Sequence, residues 1–177
     1  MAADNKGIIS FLRGQFQGAH EMLEGTVDDV TAEQAHWAPP GKALPLAAHY
    51  AHIIIAEDAT VNGMLKGGPP LAATTWAGKT GLSEMPPQGF DWAQWAKGVR
   101  VNLGELREYA RAVYESTDGY LASLSDDDLA RLLDLSALGV GEKTFGWMLS
   151  IQLANAGWHC GEIACLKGLQ GAKGYPM

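Results

Sequence analysis

Basic charge is scarce in this chain. Thirteen lysines and arginines stand against 20 aspartates and glutamates, a formal net charge of -7. No basic patch stands out, which argues against nucleic acid as a partner; the same deficit argues against an anionic membrane surface. Cysteine is scarce too. Cys160 and Cys165 are five positions apart, which on a helix sets them well around the axis from each other, so no disulfide between them is expected. A reduced, cytoplasmic chain is the expectation. A long run of apolar residues is also missing. The longest charge-free stretch, Thr144 to Gly161, contains Gln152, Asn155 and His159, a poor membrane span and a good buried helix. The opening Met1-Ala2-Ala3-Asp4-Asn5-Lys6 is polar and predicts no signal peptide.

What is present is a globular balance, with 47% hydrophobic and 19% charged residues over 177 positions. That length makes one domain spanning 1–177 the expectation. Leu12, Phe16, Ala19 and Leu23 follow a possible cap at Asp4 with helical spacing, predicting helix over 6–24 closed by Gly25. Thr31-Ala32-Glu33-Gln34 is a capping-box pattern, and Pro39-Pro40 stops the turn it opens. Pro45 starts a second long helix to Lys66; its alanine-rich, apolar content over about six turns outweighs the strand propensity of Ile53-Ile54-Ile55. Residues 67–90, with four prolines and five glycines, form a long loop that is functional or mobile, and Trp76 and Pro86-Pro87 suggest a lid. A third helix, capped by Asp91, runs from Trp92 past Tyr114 with an interruption near Gly98 or Gly104. Ser125 and the three aspartates after it start a short helix ending near Leu133, and Thr144 opens the last helix, to about Gly168. No convincing alternating strand and no internal repeat are present, so the expected fold is all-α: an up-down four-helix bundle with a short extra helix.

The last helix holds the anomaly. Gln152, Asn155, His159 and Glu162 are spaced three, four and three, one polar stripe on an otherwise apolar or small helix. If that helix is central, each needs a partner. The second helix offers His52, with His49 one turn earlier. Two residues four apart on one helix and a histidine from another make three ligands and leave a position for water or substrate. A satisfied core hydrogen-bond network is the competing reading. His20 and His36 read as surface or packing residues, and Trp158, beside His159, as a residue that could line the same cavity. Gly78-Lys79-Thr80 lacks the first glycine and the strand of a phosphate loop. His159-Cys160-Gly161-Glu162 has neither the spacing nor the cysteine pair of a zinc deaminase.

At these residues the chain resembles the DinB/YfiT-like superfamily of metal-dependent four-helix proteins. Asn155 to Ile163, continuing to Leu166-Lys167-Gly168, is similar to the family's His-x-x-x-His-x-Gly-Gln/Glu-Ile signature. His52, with Glu57 five residues later, resembles its helix-2 histidine, and Trp37-Ala38-Pro39-Pro40-Gly41 the approach to that helix. The resemblance implies a metal held by His52, Asn155 and His159. Asn155 departs from the usual histidine, and from the glutamate of relatives similar to the mycothiol-dependent isomerases; an amide oxygen is a weaker ligand for zinc or nickel.

Three functions follow. The first is an enzyme using a divalent transition metal, zinc or nickel foremost. Its chemistry would be transfer or isomerisation with a low-molecular-weight thiol, or hydrolysis of a small molecule. Glu162 is then a proton-transfer or ligand-supporting group, or equally a surface carboxylate. The second is a non-catalytic small-ligand-binding or stress-response bundle whose metal site is weakened or lost. The third is a structural module. A homodimer is expected in keeping with the resemblance.

Overall fold

The computed structural model of the chain describes residues 7–87, 89 and 92–177. The expected caps Asp4 and Asp91 lie outside the described residues. Helix α1 (Ile8–Val27) buries Ile9, Phe16, Leu23 and Val27 along one face. Its first amides are taken by a residue far away in sequence: Ile8 and Ile9 N–H donate to the Asp126 carboxylate at 3.1 and 2.9 Å. Contrary to expectation, α1 runs through Gly25. A Cβ there would lie 3.1 Å from the Pro176 ring, so the glycine serves the approach of the C-terminal segment rather than a helix stop.

Helix α2 (Ala32–His36) has the anticipated capping box, with Gln34 N–H donating to Thr31 Oγ1 and Thr31 N–H to Gln34 Oε1. His36 has a packing role: Nδ1–H donates to the Ala32 carbonyl and Nε2 accepts from Val101 N–H.

Helix α3 (Leu46–Glu57) has ten of its twelve residues buried, which makes it a central element. It passes without a break into a π-helical segment, Asp58–Leu65, so the long second helix exists but its last turns are wider than the sequence pattern implies. The 67–90 loop is tied down over much of its length. Leu82 bridges Val101, Ser83 N–H donates to the Arg100 carbonyl, and Trp95 Nε1–H donates to the Glu84 carbonyl. Trp76 packs against Tyr109, with ring centroids 5.8 Å apart. The tie is closest at Gly81, where φ is +77° and a Cβ would come within 2.6 Å of Leu106 N and 2.7 Å of Asn102 O. Gly81→Ala is therefore expected to destabilise the fold by roughly 2–4 kcal/mol in urea titrations. A loss near zero would mean that the loop's attachment to α5 contributes nothing.

The third helix is indeed interrupted, into α4 (Ala93–Gly98) and α5 (Leu103–Ala122); Asn102 caps α5 by accepting from Gly104 and Glu105 N–H. The expected helix ending near Leu133 is corrected: Asp126–Ala130 forms a 3-10 turn, and Leu132–Leu135 (β1) pairs antiparallel with Gly141–Thr144 (β2). Helix α6 (Phe145–Leu169) starts on Thr144, whose hydroxyl accepts from Trp147 N–H.

The fold is mainly helical. Helices α1 and α3 each pack against both α5 and α6. Tyr50, Tyr109 and Phe145 are the bulkiest fully buried side chains. A polar seam runs between α1, α3 and α5. His20 Nε2 sits 2.9 Å from Glu57, which also accepts from Thr117, and its ring stacks on Tyr114 at 3.7 Å. Glu24 accepts from both Tyr50 and Tyr114. Burial, with neighbouring carboxylates adding to it, pushes both phenols above their ordinary range, so they remain donors. Among the described residues no helix is long and apolar enough to cross a membrane.

Candidate metal centre and cavity

Between α3, α4 and α6 lies a cavity of about 670 Å³, whose wall is mostly apolar. The π-helical segment contributes Ala59, Thr60 and Met64 to it, and α4 contributes Ala93, Trp95 and Ala96, with Trp92 from the position before it. The polar stripe of α6 faces α3, and all four of its members find partners there. Gln152 Nε2–H donates to Thr60 Oγ1 at 2.6 Å and to the Ala56 carbonyl at 3.4 Å. His52 Nε2 lies 3.3 Å from Asn155 Oδ1; an amide oxygen only accepts, so the imidazole donates. His159 Nδ1 is 3.1 Å from His49 Nδ1 and makes a very short contact with Glu162.

His52, Asn155 and His159 thus line one cavity, with the His52 and His159 ring centroids 4.6 Å apart. The tightest convergence of potential ligand atoms involves two other residues. His49 Nδ1, His159 Nδ1 and a Glu162 oxygen all lie within 4.8 Å of one another, and His49 Nδ1 is 3.0 Å from that carboxylate. The helical spacing puts His49 and His52 on adjacent turns of one face and does not decide which imidazole meets His159; only the packing of α3 on α6 does. Trp158, the neighbour of His159, lines the cavity while remaining 65% exposed.

The donor set fits a divalent transition metal. Two imidazole nitrogens and a carboxylate are ligands common to zinc and nickel. Their mutual closeness leaves two choices: protons fill the space between Nδ1, Nδ1 and the carboxylate, or a cation does. Burial pushes His49 below its ordinary pKa against the opposing pull of Glu162, which favours the neutral form a metal requires. The Asn155 Nδ2 amide is buried and has no hydrogen-bond partner, an orphaned donor beside this cluster.

Burial, aided by His159, pushes His52 down to about 4 from an ordinary 6.5. The folded protein therefore binds fewer protons at this residue than the unfolded chain between those values. The stabilisation is complete above pH 6.5 and is lost progressively as pH falls toward 4, on the order of 3 kcal/mol in full. Urea midpoints of the metal-free protein should fall over that window, and His52→Leu should flatten the fall; an unchanged slope would contradict the burial of a neutral imidazole.

The sequence profile of the DinB superfamily matches residues 15–163. Among solved structures, a crystal structure of a conserved protein from Enterococcus faecalis aligns with a TM-score of 0.78 at 21% identity. It covers 92% of this chain and 96% of the other, a likeness in fold alone. No curated protein matches the chain.

Proposed function

Given that the chain belongs to the DinB superfamily, we propose that it is a divalent-metal-dependent enzyme acting on a small molecule held in the α3–α4–α6 cavity. In this reading the whole of 1–177 is one domain, α1, α3, α5 and α6 form an up-down four-helix bundle, and the protein is a cytoplasmic homodimer. The observation that carries the proposal is the meeting of His49 Nδ1, His159 Nδ1 and the Glu162 carboxylate beside that cavity. These three would hold the metal. The set implied by sequence resemblance, His52, Asn155 and His159, shares His159 with it and supplies the adjoining wall.

Held by these residues, a divalent ion would supply Lewis acidity, which lowers the pKa of a water or thiol. The chain's own groups do the rest. Glu162 is half exposed and hydrogen-bonded to His159, so it can exchange a proton with solvent while orienting that imidazole. The Gln152–Thr60 bond fixes the floor between α3 and α6. Apolar walls limit water around the substrate. Transfer or isomerisation with a low-molecular-weight thiol, or hydrolysis, are the reaction classes in view.

The alternative is a ligand-binding or stress-response protein without a metal. Its support is the His52–Asn155 hydrogen bond, which occupies both groups without a cation. Elemental analysis of the purified chain separates the two. About one equivalent of zinc or nickel, lost in Glu162→Gln, is expected; a metal-free protein that takes up neither ion at micromolar concentration would favour the binder.

A further inference from the structure

The α3–α4–α6 cavity is long and narrow. Its lining residues on α6 recur at every turn from Met148 to His159, a rise of about 16 Å along the helix. A volume of about 670 Å³ drawn out over that length leaves a mean cross-section on the order of 40 Å². Small side chains set the width: Ala56 and Ala59 from α3 and the π-helical segment, Ala93 and Ala96 from α4. The polar residues of the lining pair with one another across the α3–α6 seam, Gln152 with Thr60, Asn155 with His52 and His159 with His49. The two ends differ. At one, His49 and His159 join the cluster of potential metal ligands. The other is apolar, made by Met148, by Met64 of the π-helical segment and by Leu138 on the turn of the hairpin that leads into α6. Met64 and Leu138 are each 38% exposed, two large apolar side chains from separate elements that line the same cavity.

We propose that the cavity takes a single unbranched aliphatic chain, the tail of an alkyl or acyl substrate, lying along α6 from the His49–His159 end to Met64 and Leu138. This rests on the reading of the cavity as the substrate site, but not on the presence of the metal; on that reading the reacting group of the substrate lies at the His49–His159 end. Each methylene laid along the wall leaves water without displacing a protein hydrogen bond. A compact or branched body with as many carbons would have to spread α4 from α6, because the width is already set by alanines. The two methionines at the far end have flexible thioether side chains that adapt to chains of different length.

The test is equilibrium binding of primary alcohols from butanol to dodecanol, followed by tryptophan fluorescence, since Trp92, Trp95 and Trp158 line the cavity. The full chain is used as purified and again after chelator treatment. In both, binding should saturate at one site and tighten about three- to fourfold per methylene through decanol. Cyclododecanol, a wide ring of comparable hydrophobicity, should bind at least about tenfold more weakly than decanol. Ala59→Phe places a ring part-way along the cavity at an exposed lining position, so the increments should stop by octanol while the helical circular dichroism is unchanged. Ala59→Leu, a smaller filler, serves if the phenylalanine variant does not fold. The proposal is overturned if affinity does not rise beyond hexanol in the unaltered chain, if cyclododecanol binds as tightly as decanol, or if filling position 59 leaves the series unchanged. A protein that takes up neither zinc nor nickel but shows the full series would defeat the metalloenzyme reading alone. One that binds the ion and shows no series would defeat this inference alone.

Discussion

Asp58→Ala is expected to destabilise the protein by about 4 kcal/mol. Asp58 is 1% exposed and stands at the first position of the π-helical segment. Its two oxygens accept from four donors: Tyr109 Oη–H at 2.6 Å, Asn62 Nδ2–H at 2.8 Å, and the backbone N–H groups of Leu71 and Ala72 at 2.9 Å each. Truncation leaves all four without their acceptor; the bonds from Tyr109 and Asn62 are buried and those from Leu71 and Ala72 part-buried, and each buried unsatisfied donor costs about 1–3 kcal/mol before relaxation. It also frees the start of the loop that Asp58 ties to the helix. Burial, the larger cause of the raised Tyr109 phenol in the native protein, persists in the variant and keeps that phenol a donor. Tyr109→Phe, which removes one donor and keeps the ring, should cost about 1 kcal/mol and serves if the alanine variant does not fold. Urea unfolding measures both; a loss under about 1 kcal/mol for Asp58→Ala would mean that water reaches this seam.

His159→Ala is expected to lower zinc or nickel affinity by more than about a hundredfold, since His159 belongs to every ligand set this geometry offers. Two further substitutions distinguish those sets. If His49, His159 and Glu162 hold the ion, Glu162→Gln should weaken binding almost as severely and His52→Leu by about tenfold at most. If His52, Asn155 and His159 hold it, the order reverses. Competition against a chromophoric chelator gives the affinities. Unchanged affinity in His159→Ala would remove this cavity as the metal centre.

The helices were legible because their signals are periodic. The apolar spacing of α1, the Thr31 and Thr144 caps and the break after Gly98 each rest on contacts within a few residues. The β1–β2 hairpin was not, because its eight residues include only one buried side chain, Leu135, and a strand without a buried face shows no alternation. Nor was the π-helical segment, since a five-residue hydrogen-bond step leaves no mark in hydrophobic spacing. Asp126 looked like part of a local helix start, and it does open the 3-10 turn, but its carboxylate caps α1 from 117 and 118 residues away. In the site, the Gln152–Glu162 stripe was readable from spacing. The pairing of His49 with His159 was not, because it depends on how α3 is rotated against α6. The role of Asp58 was hidden as well: an acidic residue inside the expected Pro45–Lys66 helix carries no mark of the Tyr109 hydroxyl and the Leu71 amide that the fold brings to it.

Locating the ion tests the central claim most directly. Crystals grown with equimolar zinc or nickel, measured on both sides of the metal's absorption edge, should give one anomalous peak within coordination distance of His49 Nδ1, His159 Nδ1 and the Glu162 carboxylate. A fully loaded protein with its peak elsewhere, or no peak at all beside those three atoms, would contradict the account.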